Sequence, residues 1–139
     1  MTQQPLENVR IGAFDLMPSP EEIHARVPLS EKASDTVFAS REEIKAILDR
    51  RDPRIFIVVG PCSIHDPKGA LEYAGRLARL RTELAGQMEI VMRVYFEKPR
   101  TVVGWKGLIN DPDLNGSFHI NKGLRLARQL LLDVTALGL

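Results

Sequence analysis

Only one cysteine, Cys62, occurs in the 139 residues. An internal disulfide framework is therefore excluded, and a reducing, cytoplasmic setting is expected. No apolar run approaches the ~20 residues of a membrane span, so no membrane association is expected. The opening segment MTQQPLENVR has neither a basic n-region nor an apolar h-region, and no secretory signal is expected there. Excess charge of either sign is also missing. The formal net charge is +1, which gives bulk electrostatics no hold on nucleic acid or on a membrane surface. What remains is an ordinary globular composition, long enough for one domain with a real core.

Residues 1–18 show no sustained period and read as an extended arm, whose apolar Val9, Ile11, Phe14 and Leu16 are expected to dock. Ser19-Pro20-Glu21-Glu22 reads as a helix start, with Ser19 as N-cap, Pro20 at the first helical position and Glu22 completing a capping box. Pro28 stops this helix early. Ser30 opens a longer one, in which Ala33, Val37, Ile44, Ile47 and Leu48 recur at helical spacing. Arg41, Glu42, Glu43 and Lys45 fall among its polar positions and read as a solvated face. Arg50-Arg51-Asp52-Pro53 ends it.

Ile55-Phe56-Ile57-Val58-Val59 is uniformly apolar, as expected of a strand in a parallel sheet covered on both faces. It breaks at Gly60-Pro61-Cys62-Ser63-Ile64-His65-Asp66-Pro67, where Asp66 reads as an N-cap with Pro67 at N1. The next helix carries Ala70, Tyr73, Ala74, Leu77, Leu80 and Leu84 on one stripe and closes at Gly86. A lone Cys reads first as a small buried hydrophobe. A Cys and a His three apart could both reach a metal, although that pair is far from a full ligand set.

A second strand is expected from Ile90 to Phe96, rich in β-branched and aromatic residues. Arg93 interrupts it, on the same face as Val91 and Tyr95. Lys98 follows at its end, before Pro99 stops regular pairing. Between Arg93 and Lys106 stand four cations and one anion, Glu97, a focused positive patch on a nearly neutral chain. One Arg in a strand reads as a structural ion pair or a snorkelling side chain. Followed by Lys-Pro-Arg-Thr at the end of a strand, where α/β folds place ligands, it points to a site for phosphate and carboxylate groups. The loop from Lys98 to about His119 is long enough to be functional, and Val102, Val103, Trp105, Leu108, Ile109 and Phe118 argue that it is ordered. A last helix, about Asn121 to Ala136, presents Leu124, Ala127, Leu131 and Val134, with Gly138 as its C-cap. The order β-α-β-α predicts adjacent parallel strands with right-handed crossovers. Two such strands leave both edges unpaired, so the sequence is expected to be the front part of a larger α/β protein.

The run Arg93-Val94-Tyr95-Phe96-Glu97-Lys98-Pro99-Arg100-Thr101, then Gly104-Trp105-Lys106-Gly107-Leu108-Ile109-Asn110-Asp111-Pro112, resembles the signature of the class I 3-deoxy-D-arabino-heptulosonate-7-phosphate (DAHP) synthases, in particular their feedback-regulated microbial branch. The resemblance covers Ile55 to Gly138 and, more loosely, Ser30 to Arg51. It implies an α/β fold made of the first two βα units of a TIM (β/α)8 barrel, incomplete in this chain. Residues 1–53 would be an N-terminal extension for regulatory and oligomer contacts, and residues 54–139 the partial barrel.

The implied reaction joins phosphoenolpyruvate to erythrose 4-phosphate with water, giving DAHP and phosphate, the first step of the shikimate route to aromatic amino acids. The implied cofactor is a divalent metal ion of the Mn, Fe, Co or Zn class, with Cys62 as its thiolate ligand. The family's other ligands, a His, a Glu and an Asp, come from later strands that this sequence lacks, and His65 is not promoted to ligand. Arg93 matches the Arg that holds phosphoenolpyruvate. Lys98 matches the catalytic Lys that contacts phosphoenolpyruvate near the aldehyde. Arg100 and Thr101, with Pro99 setting the turn, match the segment that binds erythrose 4-phosphate. A homo-oligomer and inhibition by Phe, Tyr or Trp are implied as well. The sister 3-deoxy-D-manno-octulosonate-8-phosphate synthases share a GPC and a KPRT element, but Ser63 to Pro67 and Gly104 to Pro112 resemble the DAHP branch. The chain alone is expected to be inactive or nearly so. The competing reading is a non-catalytic truncated product that binds complete subunits.

Overall fold

The structure is a computed structural model and describes residues 7, 9–98 and 103–139. Two short parallel strands are set among four helices. In chain order these are α1 (Pro20–Arg26), α2 (Glu31–Leu48), β1 (Ile55–Val59), α3 (Pro67–Glu83), β2 (Met88–Met92) and α4 (Ile120–Ala136). The helix starts follow from local chemistry. The Ser19 hydroxyl accepts from the Glu22 N–H while the Glu22 carboxylate accepts from the Ser19 N–H, a complete capping box ahead of Pro20. Ser30 caps α2 through the Ala33 N–H, and Asp66 caps α3 through the Lys68 N–H. Gly138, at φ 93°, takes the left-handed position just after α4.

β1 and β2 pair in parallel with Ile55 opposite Met88 and Val59 opposite Met92. The core lies on one side of this pair, where Ile90 and Met92 meet Ile64, Ala70, Ala74, Leu77, Leu130 and Val134. Several expectations are corrected here. β1 is not buried on both faces, because its five side chains are 36% to 58% exposed. A strand's burial comes from the layers around it, and among the described residues β1 has one neighbouring strand and no second covering layer. β2 starts two residues earlier than expected and ends at Met92. The register pairs Met92 with Val59, the last residue of β1, so the ladder has no rung for Val94 to Phe96. Arg93 therefore stands just beyond the strand, exposed, although its N–H still donates to the Val59 carbonyl at 2.8 Å.

The buried face of α4 is Gly123, Ala127, Leu130 and Val134, whereas Leu131 is 42% exposed. Gly123 sets this rotation. A Cβ there would lie 2.1 Å from the Ile109 carbonyl oxygen, so only glycine lets the helix sit so close to the preceding loop. α3 ends at Glu83 with Leu84 as C-cap, ahead of Gly86. On α2 only Ala33 is fully buried, and Leu48 is exposed. In the arm, the Leu16 carbonyl accepts from the Asn121 amide, while the Val9, Ile11, Phe14 and Leu16 side chains stay exposed.

Two arginines fasten α2 beneath the strands. Arg54, one residue before β1, donates to Asp52, to Glu43 of α2 at 2.9 Å and to the Ala85 carbonyl of the α3–β2 turn at 2.9 Å. Glu43 is thus a tie rather than simply part of a solvated face. The hydrogen bond from Arg54 also holds the Asp52 carboxyl below the usual carboxylate range. Arg81 of α3 reaches Glu89 of β2 through two bonds of 2.6 and 3.2 Å, the Ser40 hydroxyl of α2 at 3.1 Å and the Gly138 carbonyl at 2.6 Å. Glu89 is almost wholly buried, its side chain 3% exposed. A lone carboxylate could not sit there without such a partner.

Candidate functional site at the strand C-termini

Two segments leave the ends of the paired strands side by side. The first, 60–66, follows β1 and carries Cys62. Gly60 makes the close exit possible, since a Cβ there would lie 2.3 Å from the Arg93 carbonyl oxygen. Ile64 is buried and anchors the segment, and its N–H donates to the Tyr95 carbonyl at 2.8 Å. The second segment, 93–98, carries Arg93 and Lys98. The Arg93 guanidinium lies over the Tyr95 ring, 4.9 Å from its centroid, a cation–π arrangement that holds the fork in an exposed position.

The chain after 102 folds back on this second segment. Glu97 and Gly107 form an antiparallel bridge, Lys98 N–H donates to the Lys106 carbonyl at 3.2 Å, and Leu108 N–H donates to the Phe96 carbonyl at 2.8 Å. Gly107 has φ 116°, and a Cβ on it would lie 2.1 Å from the Phe96 carbonyl oxygen, so any other residue strains this return and forces the backbone to shift. Leu108, 1% exposed, plugs it into the body of the molecule. The apolar residues that order the loop are therefore Leu108 and the half-buried Trp105 and Ile109, while Val102 lies outside the described residues. Val103 and Phe118 are exposed.

The outcome is one contact between two motifs far apart in sequence: the Lys98 Nζ lies 3.5 Å from the Cys62 Sγ. Cys62 is free and exposed, which corrects its first reading as a buried small hydrophobe. An ammonium, a thiol and, just beyond the strand, a guanidinium thus share the C-terminal end of the sheet. The ammonium and the guanidinium suit an anionic ligand. Sulfur is a suitable donor to a divalent metal. Among the described residues no three His, Cys, Asp or Glu side chains gather into a metal cluster, so Cys62 is one fitting donor rather than a complete site. Pro99, Arg100 and Thr101 lie outside the described residues. Two contacts were not legible in the sequence. The His65 ring meets the Trp105 ring edge-to-face, centroids 6.4 Å apart, and the Trp105 indole N–H donates to the Asp111 carbonyl at 2.7 Å.

A cysteine and a lysine meet at the ends of two parallel strands, beside an exposed arginine, at the end of the sheet where α/β folds place their ligands. The DAHP synthetase I family model matches residues 27–137, and the chain belongs to that family. It is 53% identical over 132 residues to the Trp-sensitive phospho-2-dehydro-3-deoxyheptonate aldolase of Buchnera aphidicola subsp. Baizongia pistaciae, covering 95% of this chain and 38% of that protein. It is 53% identical over 133 residues to the Phe-sensitive aldolase of Escherichia coli K12, covering 96% and 38%. The solved structure of the phospho-2-dehydro-3-deoxyheptonate aldolase from Francisella tularensis SCHU S4 superposes with a TM-score of 0.85 at 49% identity, over 93% of this chain and 38% of that one. The chain thus spans about 38% of the length of the curated relatives it matches.

Proposed function

We propose that this chain carries the Cys62–Arg93–Lys98 portion of a 3-deoxy-7-phosphoheptulonate synthase site, with the described α/β unit as the opening of a (β/α)8 barrel. Residues 54–139 would be barrel and residues 1–53 its extension. The observation that carries the reading is the 3.5 Å approach of Lys98 Nζ to Cys62 Sγ. It joins the two motifs that resemble the family's metal and substrate elements, at the end of the strands where such barrels work.

In this reading Arg93 pairs with the carboxylate or phosphate of phosphoenolpyruvate, and Tyr95 fixes its approach. Lys98 neutralises the same substrate and lies near the aldehyde of erythrose 4-phosphate. Pro99, Arg100 and Thr101, which lie outside the described residues, would bind that second substrate, as the family resemblance implies. Cys62 would be one ligand of a divalent metal, which when bound supplies Lewis acidity toward a carbonyl oxygen. C3 of phosphoenolpyruvate bonds to the aldehyde carbon, water adds at C2, and phosphate leaves. The chain's cations bring two anions together and hold them in register, a gain from proximity and charge. The exposed apolar faces of β1 support a site completed by further polypeptide, so the 139-residue chain alone is not expected to turn over. A homo-oligomer and an aromatic amino-acid inhibitor complete the proposal, the latter because the similar aldolases are named Trp-, Phe- and Tyr-sensitive.

The test is to join this chain to the remainder of the Escherichia coli Phe-sensitive relative and follow phosphate release from the two substrates with Mn²⁺. Release that a chelator stops is expected from the fusion but not from the chain alone. A folded fusion that releases no phosphate contradicts the proposal.

A further inference from the structure

We propose that His65 and Trp105 are positioning residues: their edge-to-face contact braces the two segments that bear Cys62 and Lys98, and so sets the distance between sulfur and ammonium. The argument begins with what holds each segment. Both hang on residues 93–98, on different flanks. On one flank, Ile64 N–H bonds to the Tyr95 carbonyl at 2.8 Å, and His65 is the next residue. On the other, Lys98 N–H bonds to the Lys106 carbonyl at 3.2 Å, and Trp105 is the residue before it.

The Trp105 ring is not free to swing. Its indole N–H bonds to the Asp111 carbonyl at 2.7 Å, and Asp111 N–H bonds in turn to the Gly107 carbonyl at 2.9 Å. Asp111 is buried and its carboxylate accepts from the Gly116 N–H at 3.0 Å. Trp105 therefore moves as one body with the Gly107 return that bridges Glu97. Against that body stands the His65 ring, at 90° and 6.4 Å between centroids, within the range of favourable aromatic pairs.

The links form a closed circuit: Cys62 along the backbone to His65, ring to ring to Trp105, Lys106 to Lys98, and Lys98 Nζ back to Cys62 Sγ at 3.5 Å. Without the ring contact, Cys62 and Lys98 are held in register only through their shared backbone anchor, and both side chains stand at the surface end of it. His65 acts here through the packing of its ring, not as a ligand or a proton carrier. This inference rests on the reading of Cys62 and Lys98 as site residues, but its test uses neither metal nor substrate, so the two fail separately.

The experiment treats the 139-residue chain with o-phthalaldehyde, which condenses one amine and one thiol in close reach into a fluorescent isoindole, losing two waters. Cys62 is the only cysteine, so any intramolecular product contains it. Wild type is expected to form the isoindole, and Lys98→Met to lose it. His65→Leu should slow its formation about tenfold, the order expected when reacting groups lose their alignment. His65→Phe, which keeps an aromatic ring but not the nitrogens, should restore it, and His65→Leu should add nothing in a Trp105→Leu background. Far-UV circular dichroism checks the fold of each variant, and Trp105→Leu gives an independent reading from the other side. A wild-type rate in folded His65→Leu, or no recovery in His65→Phe, overturns the brace.

Discussion

The two ends of the same pair of strands are built in opposite ways. At the N-terminal end, Arg54 and Arg81 spend their donors on α2, on Glu89, on the Ala85 turn and on the Gly138 carbonyl. Charge there is paired and, at Glu89, almost wholly buried. At the C-terminal end, Arg93 and Cys62 are exposed, and among the described residues Lys98 reaches the Cys62 thiol. The same residue types thus do different work. At the base they tie elements together, and at the top they stand exposed, where the proposed ligands would bind. A fold that needs both stability and chemistry can separate them along one strand, and variants at the two ends should separate in the same way.

The largest effect belongs to the base. Glu89→Ala leaves Arg81 without its buried partner and is expected to cost about 3–5 kcal/mol, read as a lower midpoint in urea unfolding of the chain. Next comes the return that positions Lys98. Gly107→Ala meets both a positive φ and the Phe96 carbonyl oxygen, and a loss of about 1–3 kcal/mol is expected from the strain, with Lys98 drawn away from Cys62. Smaller again is Ser19→Ala, which removes one half of the α1 capping box and should cost about 1 kcal/mol. At the top, Lys98→Met should move stability by no more than about 0.5 kcal/mol, because among the described residues its side chain meets just the exposed Cys62 thiol. A large loss of stability from Lys98→Met, or none from Glu89→Ala, would break the contrast between the two ends.

A pH effect should appear at a third place, the start of α4. Asp113 bonds to Lys122 and to the His119 ring at 2.8 Å. The hydrogen bond from Lys122, followed by that from His119, holds its carboxyl below the usual range. A depressed carboxyl stabilises the folded state above its unfolded pKa, about 3.9, and that contribution fades as pH falls through the folded value. The α4 start should therefore loosen below about pH 4, seen as faster amide exchange at Asn121 to Gly123. Asp113→Asn should remove this dependence.

Local chemistry was the legible part of the fold. Ser19, Ser30 and Asp66 act as caps because a cap needs only its own next few residues. The existence of β1 was equally plain from IFIVV, but its burial was not, because burial depends on layers that a strand's own letters do not name. Nothing in the sequence around Glu89 signals its burial. Its partner Arg81 lies eight residues earlier, across a turn, and neither letter shows that the pair is buried. Arg93 was expected inside a strand running on to Phe96, whereas β2 ends at Met92, opposite the last residue of β1, because a ladder stops where its partner strand stops. For the site, Arg93 and Lys98 were legible as cations at a strand end, whereas Cys62 was singled out only through the family resemblance, and the 36-residue separation of Cys62 from Lys98 carries no period. The ring contact of His65 with Trp105 left no signal in the sequence, because edge-to-face pairs have no fixed spacing.

The most direct measurement is phosphate release by the fused synthase, made with Lys98→Met and Cys62→Ala beside the parent. The parent should turn over with Mn²⁺. Lys98→Met should stay folded and lose at least about 10²-fold in kcat, the order of a lost charge-stabilising donor, while Cys62→Ala should lose its bound metal along with its activity. Full activity in either variant would contradict the assignment of the strand ends as the site.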